Sequence, residues 1–234
     1  MKYEEKISYA LGVFPTYELL LRKPNLVTRI LTHDNLQMTP AIENLLKLAS
    51  GLGIVVEKAS HKIETISKKE NVFVAGEFIK QYSALSPSQN HVVLDNPADM
   101  GNLGNIMRSM LGFNITNLAL IGAPADAFAP KTVRASMGAV FSLNISCFDS
   151  YLDYDKEFGQ RQMYCFLTDG KTKLQNVSPT NLYSLIFGNE SSGLPSSYQQ
   201  IGQSVVIDHS CAIDSLNLPT AVAIALYQFN VKTR

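Results

Sequence analysis

From Asp95 to Arg108 the chain reads Asp-Asn-Pro-Ala-Asp-Met-Gly-Asn-Leu-Gly-Asn-Ile-Met-Arg, a strand end, a glycine-containing turn and a helix start, with Asn102 and Arg108 presented at the junction. Gly101 and Gly104 permit close backbone approach, and the unpaired amides of a helix start can hold an anion or the polar edge of a ligand. Two later segments also set polar groups at the ends of elements. Tyr183–Pro195 is an apolar run that stops at Gly188 and places a carboxylate, Glu190, two residues on. Asp214–Val222 is a polar lead-in to a helix, where Ser215 or Asn217 can cap and Pro219 suits the first turn. Taken singly, the Gly-x-x-Gly run also fits an ordinary βα turn with a solvated arginine, and Ser215 and Asn217 also fit simple capping.

Hydrophobic spacing supplies the scaffold for these groups. Leu103, Ile106, Met107, Met110 and Leu111 recur at helical intervals, so a helix beginning near Asn102 turns an apolar face inward and carries Arg108 off it. Apolar strand candidates recur at His91–Asp95, Asn117–Ile121, Asn144–Phe148, Met163–Thr168, Tyr183–Phe187 and Ser204–Ile207, with helical patterns between most of them. Strands alternating with helices predict an α/β fold with a mostly parallel sheet and helices on both faces. The last helix aligns Leu218, Ala221, Val222, Ala225, Leu226 and Phe229, for the core or for a subunit contact.

Ser83–Asn90 is a polar, proline-containing break. It divides the chain into residues 1–85, a linker at 86–90, and residues 91–234. The front part is a small α/β domain in pattern: Pro40–Ala49 and Ile63–Ser67 read as helices, Gly53–Glu57 and Val72–Ala75 as strands.

A hydrophobic content of 46% with 17% charged residues marks a globular protein. No apolar run reaches bilayer-spanning length, and Met1–Lys6 lacks the basic-then-apolar layout of a signal peptide, so a cytoplasmic location and no membrane partner are expected. Cys147, Cys165 and Cys211 are widely spaced with no histidine cluster nearby, which supports neither a disulfide framework nor a metal site. Cys147 and Cys165 lie in apolar strand-like runs and are expected as core thiols. Twenty basic and twenty acidic residues argue against extensive non-specific phosphate binding. Residues 1–90 hold eleven Lys and Arg against nine Asp and Glu, and residues 91–234 the reverse. If the chain holds a nucleic acid, the front part is the better holder, through Arg22, Lys23 and Arg29 with Lys58, Lys62, Lys68 and Lys69, although a solvated face fits these residues equally well.

The three polar segments together closely resemble the TrmH/SpoU family of RNA ribose 2′-O-methyltransferases, in the SPOUT superfamily. That family carries Asn-x-Gly-x-x-x-Arg, Gly-Asn-Glu-x-x-Gly-Leu and Ser-Leu-Asn in this order, here Asn102 to Arg108, Gly188 to Leu194 and Ser215 to Asn217. Lys131–Ala139 is similar to the family's helix between the first two motifs. The sequence departs from the pattern at Met100, where many members have proline, and at Asp208, His209, Cys211 and Ala212, which replace most of an Ile-Pro-Met-x-Gly-Gly stretch.

The resemblance implies a deep trefoil knot in the catalytic domain, an L30e-like substrate-binding domain before it, and a homodimer. It implies S-adenosyl-L-methionine as methyl donor, held against the backbone of Gly188, Ile207 and Leu216; by side chain alone, Ile207 and Leu216 read equally as core. Asn102, Arg108, Glu190, Ser215 and Asn217 would be the catalytic positions, and no metal is required. The implied RNA is ribosomal in preference to transfer RNA. Since arginine holds its proton so tightly, Arg108 is better suited to stabilise a developing alkoxide than to act as the base. Glu190 would fix Asn102 or Arg108. A catalytically inactive RNA-binding protein on the same fold is the competing reading. A dinucleotide-dependent enzyme is disfavoured, since no Gly-x-Gly-x-x-Gly follows the first strand of the second domain.

Overall fold

The computed structural model describes residues 6–68 and 71–232, which form two compact units. The first comprises the described residues up to Gln81 together with Asp126–Ser142; the second comprises Tyr82–Ala125 and the described residues from Leu143 onward.

The first unit is a three-layer sandwich. Its sheet runs β1 (Ile7–Leu11), β4 (Val74–Ile79), β2 (Val27–Thr32), β3 (Val56–Lys58), antiparallel except for the β2–β3 pair. Alternation along the strands feeds both faces. Ile30 and Val74 pack with Leu20 of α1 (Val13–Arg22) and with Leu45 and Ala49 of α2 (Pro40–Gly51). Their neighbours Leu31 and Ala75 pack with Ile63 of α3 (Ser60–Ser67).

Asp126–Ser142, which includes α5 (Pro130–Ala135), belongs to this unit although the sequence reading put it in the second domain. Its apolar residues have a partner here: Phe78 meets the rings of Phe128 and Phe141, and Lys80 pairs with Asp126 at 2.6 Å. A long sequence separation hid that pairing from any local pattern.

Several front-half expectations need correction. Arg29 is not an open RNA contact, since it pairs with Glu77 at 2.9 Å and Glu57 at 2.8 Å. Lys69 lies outside the described residues. The strands expected at Gly53–Glu57 and Val72–Ala75 form further on, at Val56–Lys58 and Val74–Ile79.

The second unit is built on a seven-stranded sheet in the order β7-β6-β5-β10-β8-β11-β9, with every pair parallel. These strands are β5 (His91–Asp95), β6 (Asn117–Ile121), β7 (Asn144–Phe148), β8 (Gln162–Phe166), β9 (Thr172–Lys173), β10 (Tyr183–Phe187) and β11 (Gln203–Val206). All residues of β5, β6 and β10 are buried, as strands covered on both faces must be.

One face of this sheet carries Val93, Ala119, Cys165 and Ile186 against Tyr154 and Phe158 of α6 (Tyr151–Phe158). On the other face Tyr164 and Tyr183 meet Phe229 of α7 (Leu218–Lys232). Helix α4 spans Met100–Gly112, starting two residues before the expected Asn102 because Asp99 caps it, accepting the Asn102 N–H at 2.8 Å. Cys165 is buried, but Cys147 is exposed because β7 forms the sheet's edge.

The polar segment read as a linker is laced onto the second unit. Ser83 bonds the backbone of Ile145 at 2.9 Å, Ser86 N–H donates to Asn117 at 2.8 Å, and the Arg161 guanidinium donates to the carbonyls of Pro87 and Gln89 at 2.9 and 2.7 Å. Its polarity reflects internal hydrogen bonds and not solvation alone. Among the described residues no helix is long and apolar enough to cross a membrane.

Candidate active site

Strands β5 and β10 are neighbours in the sheet, so the loops leaving their carboxyl ends meet. Glu190 joins them. Its oxygens accept the N–H groups of Ala98 and Asp99 at 3.0 and 3.1 Å and the side-chain amide of Asn102 at 3.3 Å. Burial opposes its ionisation, but these donors outweigh it and hold the carboxyl below its usual range. Asn189 adds a second tie, donating to the Asn96 carbonyl at 2.7 Å while accepting from Ser191 N–H at 2.9 Å. Beneath them the Asp95 carboxylate accepts from Tyr198 at 2.8 Å, and burial together with this bond pushes the Tyr198 phenol up.

A cavity of about 310 Å³ opens at the carboxyl ends of β8, β10 and β11. Phe166, Phe187, Ile207 and Leu216 give it apolar walls, and Thr168, Ser192, His209, Asp214 and Ser215 give it polar ones. Gly188 and Glu190 close one side. A Cβ on Gly188 would come within 2.1 Å of the Gly193 backbone, so only glycine lets strand and loop close up there.

A second, open hollow of about 720 Å³ lies between α4 and α7, lined by Asn102, Asn105, Arg108, Asn217, Thr220 and Tyr227 among others. The two spaces share a wall. Leu216 lines the cavity and the next residue, Asn217, lines the hollow; Glu190 lines the cavity and its partner Asn102 lines the hollow.

All eight residues singled out in the sequence thus gather around these two spaces: Gly188, Glu190, Ile207, Ser215 and Leu216 at the cavity, Asn102, Arg108 and Asn217 at the hollow. Ile207 and Leu216 are half-buried, facing the cavity and not the core. Of the two partners expected for Glu190, the structure gives it Asn102, and the same carboxylate also pins the backbone before α4. Asn217 begins α7 through its carbonyl, which accepts Ala221 N–H at 3.0 Å.

Asp99 and Asn189 escaped the sequence reading. The first had a signal, an aspartate three residues before Asn102 at a helix start. Asn189 stands inside the Gly-Asn-Glu motif, but its role depends on a loop remote in sequence and no local pattern reveals it. The divergent stretch after β11 is tied down: Asp208 pairs with Lys173 of β9 at 3.0 Å, and His209 Nδ1 donates to the Ile207 carbonyl at 2.8 Å. Among the described residues no group of three or more His, Cys, Asp or Glu side chains could hold a metal ion.

An open, parallel α/β sheet with its ligand-sized cavity beyond the strands' carboxyl ends defines the class of protein. Residues 89–227 match the model of the SpoU rRNA Methylase family, and the chain belongs to that family.

Among curated relatives, the 23S rRNA (guanosine(2553)-2'-O)-methyltransferase RlmP of Bacillus subtilis (strain 168) is 23% identical over 213 residues, covering 90% of this chain and 83% of the relative. The 23S rRNA (uridine(2479)-2'-O)-methyltransferase of Streptomyces viridochromogenes is 28% identical over 145 residues, which is 58% of this chain but 50% of that protein. Among solved structures, the AdoMet-bound rRNA methyltransferase from Sinorhizobium meliloti superposes with a TM-score of 0.82 at 25% identity, covering 97% of this chain and 87% of that one. The parallel seven-stranded sheet with its helices is the α/β fold of these methyltransferases.

Proposed function

We propose that this protein transfers a methyl group from S-adenosyl-L-methionine to a ribose 2′-hydroxyl of ribosomal RNA. The observation that carries the reading is the shared wall: a cavity for a donor and a more open, arginine-bearing hollow for a polymeric acceptor are separated by Glu190–Asn102 on one side and Leu216–Asn217 on the other. The cavity suits an adenosine-bearing donor, because apolar walls offer contact to a purine face and polar ones offer partners for hydroxyl and amine groups. When bound, that donor supplies an electrophilic methyl on a positively charged sulfur.

The chain's own residues align and stabilise. Glu190 fixes Asn102 and the start of α4, and so fixes where Arg108 projects. The exposed Arg108 keeps its positive charge, stabilises oxygen charge as the hydroxyl loses its proton, and pairs with a neighbouring phosphate whose oxygen can take that proton. Asn102 and Asn217 offer amides to the RNA within the same hollow. Alignment of donor and acceptor supplies much of the rate for an in-line displacement.

The finer features of the resemblance belong to the same proposal. The first unit would be an L30e-like domain that docks structured RNA by shape and phosphate contacts, consistent with solved relatives that cover nearly the whole chain. Insertion of β10 between β5 and β8 is a strand order that favours a knotted carboxyl-terminal part. Exposed Ile224 and Tyr227 on α7, beside Arg108, favour a homodimer whose second subunit completes the hollow. Cytoplasmic residence completes the proposal.

Ribosomal RNA is preferred over transfer RNA because the relatives matched over the greatest lengths are named for 23S rRNA. The test is methylation of total RNA with methyl-labelled donor, followed by mapping of ribose-protected positions. Label confined to a 2′-oxygen of ribosomal RNA is the expected result. Donor binding without any label transfer would favour the inactive RNA-binding alternative.

A further inference from the structure

We propose that His209 is a donor-reading residue, presenting a bare ring nitrogen to the ligand in the cavity. It occupies a position where this sequence departs from its family's pattern, and the inference rests on reading the cavity as the S-adenosylmethionine site. His209 is half-buried and lines that cavity beside Ile207 and Leu216. Its Nδ1 lies 2.8 Å from the Ile207 carbonyl oxygen. A carbonyl can only accept, so Nδ1 carries the hydrogen, and in the neutral ring Nε2 is left as an acceptor.

Three of the acceptors nearby are engaged. The Ile207 carbonyl receives Nδ1–H, Asp208 is paired with Lys173, and Glu190 receives Ala98, Asp99 and Asn102. Asp214 and Ser215 also line the cavity, but both are exposed. Among the described residues the ring's one hydrogen bond is made by Nδ1, and no protein group bonds Nε2. An adenosine-bearing amino acid carries hydroxyl and amine hydrogens, so it brings the donors that this nitrogen lacks. The same ring therefore braces its own loop through Nδ1 and grips the ligand through Nε2.

The two nitrogens can be separated by substitution, because asparagine places its amide near the Nδ1 position and glutamine places its own near Nε2. Binding of S-adenosylmethionine to the wild type, His209→Asn and His209→Gln is measured by calorimetry, with melting temperatures of the ligand-free proteins recorded alongside. His209→Gln is expected to bind within about threefold of wild type and His209→Asn about tenfold more weakly, the loss of roughly one hydrogen bond. Melting temperatures should be similar in all three. The reverse order of affinities, equal affinity in all three, or an equal loss in both variants overturns the inference while leaving the cavity as the donor site. Absence of binding to the wild type overturns the inference together with the reading of the cavity.

Discussion

Glu190 and Asn102, 88 residues apart in sequence, are joined by a 3.3 Å hydrogen bond that couples the end of β10 to the start of α4. The carboxylate reaches further, to the N–H groups of Ala98 and Asp99, and must be ionised to accept so many donors. Burial works against that charge, but the donors prevail and depress its pKa. A carboxyl depressed on folding stabilises the fold above the unfolded-state value, and that contribution fades as pH falls through the folded value. The junction is therefore complete at neutral pH and survives mild acid.

Glu190→Ala should accordingly leave three donors without their partner and release both the loop and Arg108's helix start. A fall in kcat on the order of 10²-fold is expected, with a smaller loss for Glu190→Gln, which retains one acceptor oxygen. Single-turnover methylation of RNA checks this; full activity in the alanine variant would show that the tie is dispensable.

Arg108 lines the hollow and not the cavity, so its role should be separable from donor binding. Arg108→Lys keeps the charge but loses the planar fork that can grip a phosphate and an oxygen together. Turnover is expected to drop by about tenfold or more, while the calorimetric affinity for S-adenosylmethionine stays within about twofold. Loss of donor affinity in this variant would place the guanidinium at the wrong site.

Much of the second unit was legible in the sequence because most of its strands are short, largely apolar and separated by helical patterns. The limits of β5, β6, β7 and β10 coincide with those read from the apolar runs. Cys147 was misread because apolar neighbours do not reveal that a strand lies at a sheet's edge. Glu190 was legible as a functional residue but not as a backbone clamp, since Ala98 and Asp99 carry no side-chain mark of that role. The packing of Phe128 and Phe141 on Phe78 likewise depends on contacts no local period encodes.

His91 gives the second unit an acid sensitivity of its own. Its side chain is fully buried, with Nε2 donating to the Ser86 carbonyl at 2.8 Å and Nδ1 accepting from the Tyr154 hydroxyl at 2.9 Å. Burial, aided by the nearby Arg161 charge, lowers its pKa from 6.5 to about 4. The unfolded chain thus binds this proton at higher pH than the folded one, so stability is complete above about pH 6.5 and declines as pH falls toward 4. The decline attributable to this residue is about 3 kcal/mol. Urea unfolding of wild type and His91→Gln across that range should give a flatter profile for the variant, whatever its stability at neutral pH; parallel profiles would remove His91 as the cause.

Gly188 offers the sharpest steric test of the cavity. An added Cβ would meet Gly193 C at 2.1 Å, Gly193 O at 2.2 Å and Leu194 N at 2.2 Å, all of them backbone atoms that no rotamer change can move. Gly188→Ala must therefore push the loop from Gly188 to Leu194 away from β10, and Glu190 travels with that loop. Affinity for S-adenosylmethionine is expected to fall by about tenfold or more, at a stability cost of about 1–3 kcal/mol typical of overpacking. Because the same shift drags Glu190 from Asn102, kcat should fall in this variant even at saturating donor, which a defect in donor binding alone would not produce. Kinetics at rising donor concentration distinguish the two, and complete recovery at saturation would show that cavity and hollow are not mechanically linked through Glu190.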